Sequence, residues 1–345
     1  MHKTIIFVLL LMTVALSGAA LAQDKALWER YKENFVTRDG RTIDFYQSQV
    51  SHSEGQGYAM LIAVAYDDRE TFDRIWAWTK DNLLVRSDNL FAWQWGKRPN
   101  GVWEVMDYNN ATDGDSLIAY ALIKASRKWG APEYNAQAVK VVKSIRKSLV
   151  VSWKGKSFLL PSYYGFVRDN GVVLNPSYII FPAMRSFAEV DDKAFWDKLY
   201  KDGMYLVNDA CFGKLCLPAD WVMLTNDNVT VHTERSIYYG NEAIRTILHL
   251  SSVKSNQFPQ GVAKILELYK QTGYFPFWVD LSKDSFSFTP SPAGYYAIYG
   301  LAADRMGFAA LGKKILKEAK DKLATEDNNY YSYSLYLLAT SDELL

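Results

Sequence analysis

The chain has 345 residues, of which 39 are lysine or arginine and 38 are aspartate or glutamate, for a formal net charge of +1. A chain this close to neutral has no general electrostatic attraction for nucleic acid or anionic lipid, so neither is expected as the main partner. Aromatic residues are numerous, with 11 Trp, 23 Tyr and 17 Phe. Their excess suits a cleft that stacks on flat, neutral faces such as those of sugar rings.

The first 22 residues have the pattern of a secretory signal peptide. Lys3 is followed by an apolar run from Ile5 to Leu16 and then by an Ala-x-Ala site that ends at Ala22. We expect cleavage after Ala22 and a secreted or periplasmic protein of residues 23–345. No linker or low-complexity tract divides this remainder, so a single domain is predicted. No segment is long and apolar enough for a membrane helix.

Hydrophobic spacing predicts twelve helices that alternate between strongly apolar and amphipathic segments. The segment 57–66 is apolar all round and is predicted to be buried, whereas 313–323 has a wide charged face and is predicted to be outside. This alternation predicts an all-α (α/α)6 barrel of six inner and six outer helices. The predicted helices are 25–35, 54–66, 71–84, 115–129, 133–149, 177–189, 192–210, 242–252, 261–272, 293–306, 308–323 and 329–341.

Strand signals are short and lie between the predicted helices. Asp39-Gly40 between two short extended runs predicts a β-hairpin. Further strands are predicted within 90–95, 157–160 and 277–280. Because each is brief and precedes or follows a helix, we place them at the mouth of the barrel.

Glu54 lies in the polar segment 51–60, where the chain enters its most apolar predicted helix. Burial raises the pKa of a carboxyl group, while a helix N-terminus lowers it. If burial or a neighbouring carboxylate prevails, Glu54 stays protonated near neutral pH and can act as a general acid. The alternative is a structural glutamate that complements the helix dipole.

Thr112, Asp113 and Asp115 lie at the start of an amphipathic helix that extends to Trp129. Ser, Thr, Asp and Asn are the favoured N-cap residues, so a capping role is the simplest interpretation. The alternative is a carboxylate held at a fixed position in an active site. A calcium site at Asp113 and Asp115 is not favoured, because the run of oxygen ligands found in calcium loops is missing.

Glu242 and Arg245 are three residues apart at another helix start, so they share one face. The structural interpretation is a local ion pair worth a few tenths of a kcal/mol. The functional interpretation is a base that is held and tuned by a cation.

Acidic residues at three predicted helix starts beside aromatic residues fit acid–base hydrolysis of glycosidic bonds. That chemistry needs one protonated carboxyl and one carboxylate, and no metal or cofactor. Cys211 and Cys216 are close enough in sequence for a small-loop disulfide in an oxidising compartment. The histidines are scattered and none accompanies a serine nucleophile motif, which argues against a zinc site and a serine hydrolase.

The segment 111–129 fits the signature of glycoside hydrolase family 8 at every constrained position, and 51–60 resembles the general-acid segment of that family. The chain therefore resembles this family, and within it the bacterial endoglucanases that accompany cellulose synthase. Nearly all of the chain after the signal peptide takes part in the resemblance. The later blocks of the family are matched, in order, by 175–178, 217–221, 241–245 and 294–297.

The resemblance implies an (α/α)6 barrel and inverting hydrolysis of β-1,4-glucan. Glu54 matches the general acid, and Asp113 matches the carboxylate that contacts the sugar at the cleavage point. Trp93 matches an aromatic that stacks on a sugar ring, and Tyr178 matches a tyrosine that helps to place the water. Arg245 matches the arginine beside the base.

The resemblance also implies partners. β-Glucan polysaccharide is the implied substrate, and the cellulose synthesis machinery is the implied protein partner. Trp95, close to Trp93 in the sequence, is taken as a second residue that contacts the sugar.

The chain departs from the family pattern at the base. That pattern is Tyr-Asp-Ala-x-Arg, whereas this chain has Asn241 and Glu242 in the first two positions. An inverting mechanism needs roughly 6.5–9.5 Å between the carboxyl groups to hold a water, and an extra methylene can crowd it. A displacement of about 1 Å can cost on the order of a hundredfold in rate.

Two alternatives to an endoglucanase therefore stay open. The first is a weakly active or inactive glucan-binding protein of the same fold. The second is a member of the family that acts on xylan, mixed-linkage glucan or chitosan.

Overall fold

The computed structural model describes residues 25–253, 257–326 and 329–341. The predicted signal peptide lies outside these residues. None of the helices in these ranges is long and apolar enough to cross a membrane.

Twelve α-helices account for most of the described chain. Their boundaries agree with the predicted ones to within a few residues, except near residue 180. They are α1 (25–35), α2 (Ser53–Ala65), α3 (Arg69–Asn82), α4 (Thr112–Trp129), α5 (Pro132–Ser148), α6 (Phe181–Val190), α7 (Lys193–Asp209), α8 (Ala243–Ser252), α9 (Gln260–Thr272), α10 (Ala293–Arg305), α11 (Ala309–Leu323) and α12 (Tyr330–Thr340).

The even-numbered helices form a closed inner ring. Each contacts the next in chain order, and α12 returns to contact α2. Helices α2, α10 and α12 are buried along almost their whole length, as their lack of a polar face requires. The odd-numbered helices α3, α5, α7 and α11 bury one stripe and expose their charged faces outside this ring. The predicted (α/α)6 barrel is therefore confirmed.

One predicted helix was wrong in its extent. The segment 177–189 is split into a 3-10 helix at Pro176–Tyr178 and helix α6, which begins only at Phe181. Pro182 explains the late start, because its fixed φ and missing N–H suit the first turn of a helix and not its interior. Asn175 caps the 3-10 helix by accepting a hydrogen bond from the Ser177 backbone N–H.

Within the described ranges, short antiparallel strands lie between the helices and form four small sheets, with orders β1-β2-β3, β4-β5, β6-β7-β8-β9 and β10-β11-β12. Strand β1 leads directly into α2, and β10 ends just before α8. The strands are β1 (Ser51–His52), β2 (Gln94–Lys97), β3 (Trp103–Asp107), β4 (Val150–Trp153), β5 (Lys156–Leu159), β6 (Val167–Arg168), β7 (Gly171–Leu174), β8 (Val222–Leu224), β9 (Val229–Val231), β10 (Tyr238–Tyr239), β11 (Val279–Asp280) and β12 (Ser285–Phe286).

Two loop features match the sequence expectations. A tight turn forms at Asp39-Gly40, where the Thr37 N–H bonds the Arg41 carbonyl at 2.9 Å and Gly40 takes a φ of +97°. Cys211 and Cys216 are joined by a disulfide in the loop after α7.

Two glycines allow α2 and α4 to approach closely. A methyl group added to Gly57 would lie 2.5 Å from the Cβ of Leu117, and one added to Gly114 would lie 2.8 Å from the backbone nitrogen of Glu54. Real side chains do not make contacts this short. The absence of a side chain at these two positions therefore sets the distance between the starts of the two helices.

This close approach predicts that Gly57→Ala destabilises the protein. In an open helix interior, Gly→Ala raises stability by about 1 kcal/mol. Here the added methyl overpacks the α2–α4 contact, and we expect the free energy of unfolding to fall by about 1–3 kcal/mol. Urea unfolding monitored by circular dichroism measures the change.

The control is Gly130→Ala, at the end of α4, where no atom lies within 4 Å of the added methyl and φ is +63°. It should cost about 1 kcal/mol through backbone strain alone. A Gly57→Ala protein more stable than the wild type would contradict the close approach.

Candidate active site

The starts of the inner helices α2, α4 and α8 converge on one cleft of about 590 Å³. The cleft contains carboxyl, guanidinium and aromatic side chains from distant parts of the chain. It is lined by Asp44, Tyr46, Gln47, His52, Ser53, Glu54, Trp93, Ala111, Asp113, Tyr178, Asn241, Glu242, Arg245, Phe277, Pro292, Asn329, Tyr330 and Tyr331.

Arg245, on the first turn of α8, is the centre of this cleft. Its side chain is only 4% exposed. Its Nη1 contacts Glu54 Oε1 and, at 3.0 Å, Asp113 Oδ2, while its Nη2 contacts Glu242 Oε2. The three carboxyl groups predicted from the sequence therefore meet on one buried cation.

Glu54 is anchored through only one of its carboxyl oxygens. Tyr58, one turn along α2, donates a hydrogen bond to Oε1 at 2.7 Å, and Arg245 contacts the same oxygen. Among the described residues, Oε2 has no hydrogen-bond donor. That oxygen is available to carry a proton to a bound molecule.

Asp113 is buried in the first turn of α4. Burial, and next the negative charge of Glu242, raise the pKa of the Asp113 carboxyl well above its usual range. A cap formed by Thr112 is not observed, because its hydroxyl donates to the Leu160 carbonyl. Asp113 Oδ1 accepts a hydrogen bond from the adjacent Gly114 N–H, and Oδ2 faces Arg245.

Asp115 secures the start of α4 instead of facing the cleft. Its carboxylate accepts hydrogen bonds from the Phe91 N–H at 2.8 Å and from Asn110 Nδ2 at 2.7 Å. It is fully buried, and burial raises its pKa to about 7.

Glu242 is anchored in the same one-sided way as Glu54. Asn175 Nδ2 donates to Glu242 Oε2 at 2.7 Å, and Arg245 contacts the same oxygen. The Asn175 side-chain oxygen already accepts from the N–H and hydroxyl of Ser177, so its amide nitrogen must face Glu242. In the described part of the chain, nothing donates to Glu242 Oε1, which leaves it free to bind a water.

The pKa of Glu242 is raised to about 7, first by burial and then by the charge of Asp220. Asp220 is buried behind the turn that carries Glu242. Its Oδ1 accepts from the backbone N–H groups of Gly240 and Ala243, each at 2.9 Å. The hydrogen bond from Asn175 opposes this rise. A carboxyl with a pKa near 7 suits a general base that works near neutral pH.

The charge balance of the cluster favours retention of a proton. Three ionised carboxyls around one guanidinium would leave two uncompensated negative charges in a partly buried site. Like charges this close cannot all ionise at their usual pKa values. One protonated and one ionised carboxyl is the combination that acid–base hydrolysis requires.

Aromatic side chains form the walls of the cleft. Trp93 stacks on the ring of His52, with centroids 5.7 Å apart and an interplanar angle of 9°. Tyr178 lies beneath Arg245, whose guanidinium carbon is 5.6 Å from the ring centroid. Phe277 and Tyr331 line the cleft as well. These rings offer flat faces to a sugar.

The structure does not bring Trp95 to the cleft. Its ring packs against Trp103 at 5.2 Å and Trp78 at 5.3 Å, with the Arg41 guanidinium 5.1 Å away. Alternation along a strand would put Trp93 and Trp95 on the same side. A register irregularity between Gln94 and Trp95 breaks that alternation, so Trp95 is not among the residues that line the cleft, and its sugar-binding role stays a prediction.

Sequence reasoning did not assign roles to Tyr58, Asn175 or Asp220. Tyr58 lies four residues after Glu54 on a helix, a spacing that would have indicated a contact. Asn175 and Asp220 fall in segments that resemble the family, but their contacts with the turn at Glu242 depend on tertiary structure.

Comparison with known proteins identifies the family of this chain. The model of glycosyl hydrolases family 8 matches residues 2–343. An endoglucanase of Cellulomonas uda is 42% identical over 220 residues, which are 64% of this chain and 61% of that protein. A family 8 endoglucanase from Klebsiella pneumoniae superposes with a TM-score of 0.80 at 34% identity, covering 91% of this chain and 97% of that one. An endo-β-1,4-glucanase from Acetobacter xylinum superposes with a TM-score of 0.80 at 28% identity, covering 93% and 96%.

The chain therefore belongs to family 8 of the glycosyl hydrolases, and the resemblance found in the sequence is confirmed. It spans about three fifths of the length of the Cellulomonas uda relative.

The environment of Glu242 predicts a carboxyl that titrates near pH 7. Asp220→Asn removes the negative charge behind Glu242 and keeps an oxygen that can accept from the two backbone N–H groups. The pKa of Glu242 should therefore fall in this variant. Carboxyl NMR of protein with isotope-labelled glutamate measures both midpoints.

Glu242→Gln provides the assignment, because its spectrum lacks the resonance in question. A wild-type midpoint at the usual value for glutamate, unchanged by Asp220→Asn, would show that burial and Asp220 do not control this group.

Proposed function

We propose that the protein is an endo-β-1,4-glucanase that cleaves its substrate by an inverting acid–base mechanism. The observation that supports this most directly is the matched anchoring of Glu54 and Glu242. Each has one carboxyl oxygen held by a different terminal nitrogen of Arg245, and each has the other oxygen free of donors among the described residues.

The two free oxygens give the two carboxyl groups different tasks. Glu54 donates its proton to the glycosidic oxygen as the bond between that oxygen and the anomeric carbon breaks. Glu242 accepts a proton from a water, whose oxygen forms the new bond to the anomeric carbon on the opposite face. The glucan gains one water, and the proton lost by Glu54 is restored from Glu242 through solvent.

Asp113 and Arg245 assist this reaction without transferring a proton themselves. Asp113 faces the cleft from the start of α4 and is placed to hold the sugar ring at the cleavage point. Arg245 keeps the acid and base at fixed positions. The positive charge of Arg245 also stabilises the ionised form of whichever carboxyl has lost its proton.

A neutral β-1,4-glucan fits the composition of the cleft. Trp93, Phe277 and Tyr178 provide aromatic faces. The described residues that line the cleft include no cluster of cations that would select an anionic polymer. The names of the relatives support the same substrate. Secretion or a periplasmic location, and a partnership with the cellulose synthesis machinery, remain parts of the proposal that rest on the sequence alone.

The general-acid role predicts the effect of Glu54→Gln. This variant keeps the shape of the side chain but cannot donate the catalytic proton. We expect reducing-sugar release from carboxymethylcellulose to fall by about a hundredfold to ten-thousandfold. The same assay on xylan, mixed-linkage glucan and chitosan should give lower wild-type rates than on carboxymethylcellulose.

Glu33→Gln, at an exposed position on α1, is the matched control and should keep the wild-type rate. Equal rates for Glu54→Gln and the wild type would remove Glu54 from its role. A faster wild-type rate on another polymer would reassign the substrate.

The anchoring of Glu242 predicts that Glu242→Asp lowers turnover. The shorter side chain draws the carboxylate away from Asn175 and Arg245, so the oxygen that binds the water is displaced. We expect kcat to fall by about tenfold to a hundredfold. If Glu242 instead obstructed a site suited to aspartate, Glu242→Asp would raise kcat.

Glu267→Asp, on the exposed face of α9, is the control for the loss of one methylene. If Glu242→Asp raised kcat, the wild-type chain would be a weakly active glucan-binding protein. Calorimetry with cello-oligosaccharides would then show binding without cleavage by the wild type.

A further inference from the structure

Asn241 is exposed in the cleft, yet both of its oxygen atoms are held by tyrosine hydroxyls. Tyr295, on α10, donates to the side-chain oxygen Oδ1. Tyr331, on α12, donates to the backbone oxygen at 2.6 Å. The residue is thus fixed from two different inner helices, and its side chain loses little freedom when a ligand binds.

This arrangement leaves the amide nitrogen of Asn241 unengaged, in a residue that is exposed and lines the cleft. With Oδ1 occupied by Tyr295, the two N–H groups of Nδ2 point away from that contact. No acceptor for them is present among residues 25–253, 257–326 and 329–341. Phe277 stacks on Tyr295 at 5.9 Å and lines the cleft beside Asn241. A fixed donor next to an aromatic face is an arrangement suited to a sugar.

The neighbouring residue supplies the complementary group. Glu242 follows Asn241 directly, and its free Oε1 accepts hydrogen bonds. A donor and an acceptor therefore lie side by side, on the side of the cleft where the water must be activated. Sugar hydroxyls both donate and accept, so they can bind the donor while the water occupies the acceptor.

We propose that Asn241 is a substrate-contacting residue whose amide Nδ2 donates a hydrogen bond to a hydroxyl oxygen of the sugar next to the cleaved bond. The contact holds the β-1,4-glucan in register with the water that Glu242 activates. This inference rests on the proposed glucanase function. It assigns a role to the position at which the family pattern has a tyrosine.

The test compares Asn241→Leu with Tyr295→Phe. Asn241→Leu keeps the same branched side-chain shape and the backbone contact with Tyr331 but removes the amide donor. Tyr295→Phe removes the hydrogen bond to Oδ1 and leaves the donor in place. With cellopentaose, we expect kcat/KM to fall tenfold or more for Asn241→Leu and by a smaller factor for Tyr295→Phe.

A binding measurement separates this inference from the proposed function. In the Glu54→Gln background, calorimetry with cellopentaose should show weaker affinity when Asn241→Leu is added. Asn170→Leu, on the exposed turn between β6 and β7, is the matched control and should change neither quantity. Thermal unfolding of each variant confirms that it is folded.

Two results would overturn the inference. One is a kcat/KM and an affinity for Asn241→Leu within twofold of the parent protein. The other is a loss for Tyr295→Phe equal to that for Asn241→Leu, which would show that the side chain serves only to hold Tyr295. A wild-type protein that binds cellopentaose without cleaving it would refute the glucanase function, while the calorimetric comparison would still test Asn241.

Discussion

The buried guanidinium of Arg245 is the interaction on which the site depends. It is the common partner of carboxyl groups on α2, on α4 and at the start of α8. Burial of an unpaired charge costs several kcal/mol, so Arg245 and Asp113, whose side chains are almost fully buried, depend on these contacts. Three segments that are far apart in sequence are thereby tied to one point. The reactive groups and the packing of the inner ring are consequently parts of a single arrangement.

The barrel supplies a second electrostatic constraint. Glu54 lies in the first turn of α2, Asp113 in the first turn of α4, and Glu242 at the N-cap of α8. The positive ends of three helix dipoles therefore point into the cleft and favour ionised carboxyls. Burial acts in the opposite direction and prevails at Asp113 and Glu242, whose pKa values are raised. The three carboxyl groups are therefore expected to be neither all ionised nor all protonated.

Much of this arrangement could be predicted from the sequence. Helical spacing identified the inner and outer helices, because a helix buried in the inner ring lacks a polar face, whereas an outer helix needs one. Polar residues at helix starts identified Glu54, Asp113 and Glu242, since an (α/α)6 barrel gathers alternate helix starts at one end. Local patterns could not predict the irregularity at Trp95 or the proline-delayed start of α6. Nor could they reveal Asn175 and Asp220, whose partners lie far along the chain or depend on how one turn is folded.

The extra methylene of Glu242 is best understood through its partners. Its backbone already has helical angles, with φ −80° and ψ −55°, and Arg245 lies one turn further along the same helix. The carboxylate position is fixed by this local ion pair and by Asn175, which is itself oriented by the 3-10 helix that it caps. Because Arg245 and Asn175 both hold Glu242 Oε2, they also set the position of Glu242 Oε1. Glu242, which takes the place of the aspartate in the family pattern, is therefore positioned by Arg245 and Asn175 and keeps the one-sided anchoring that the proposed base needs.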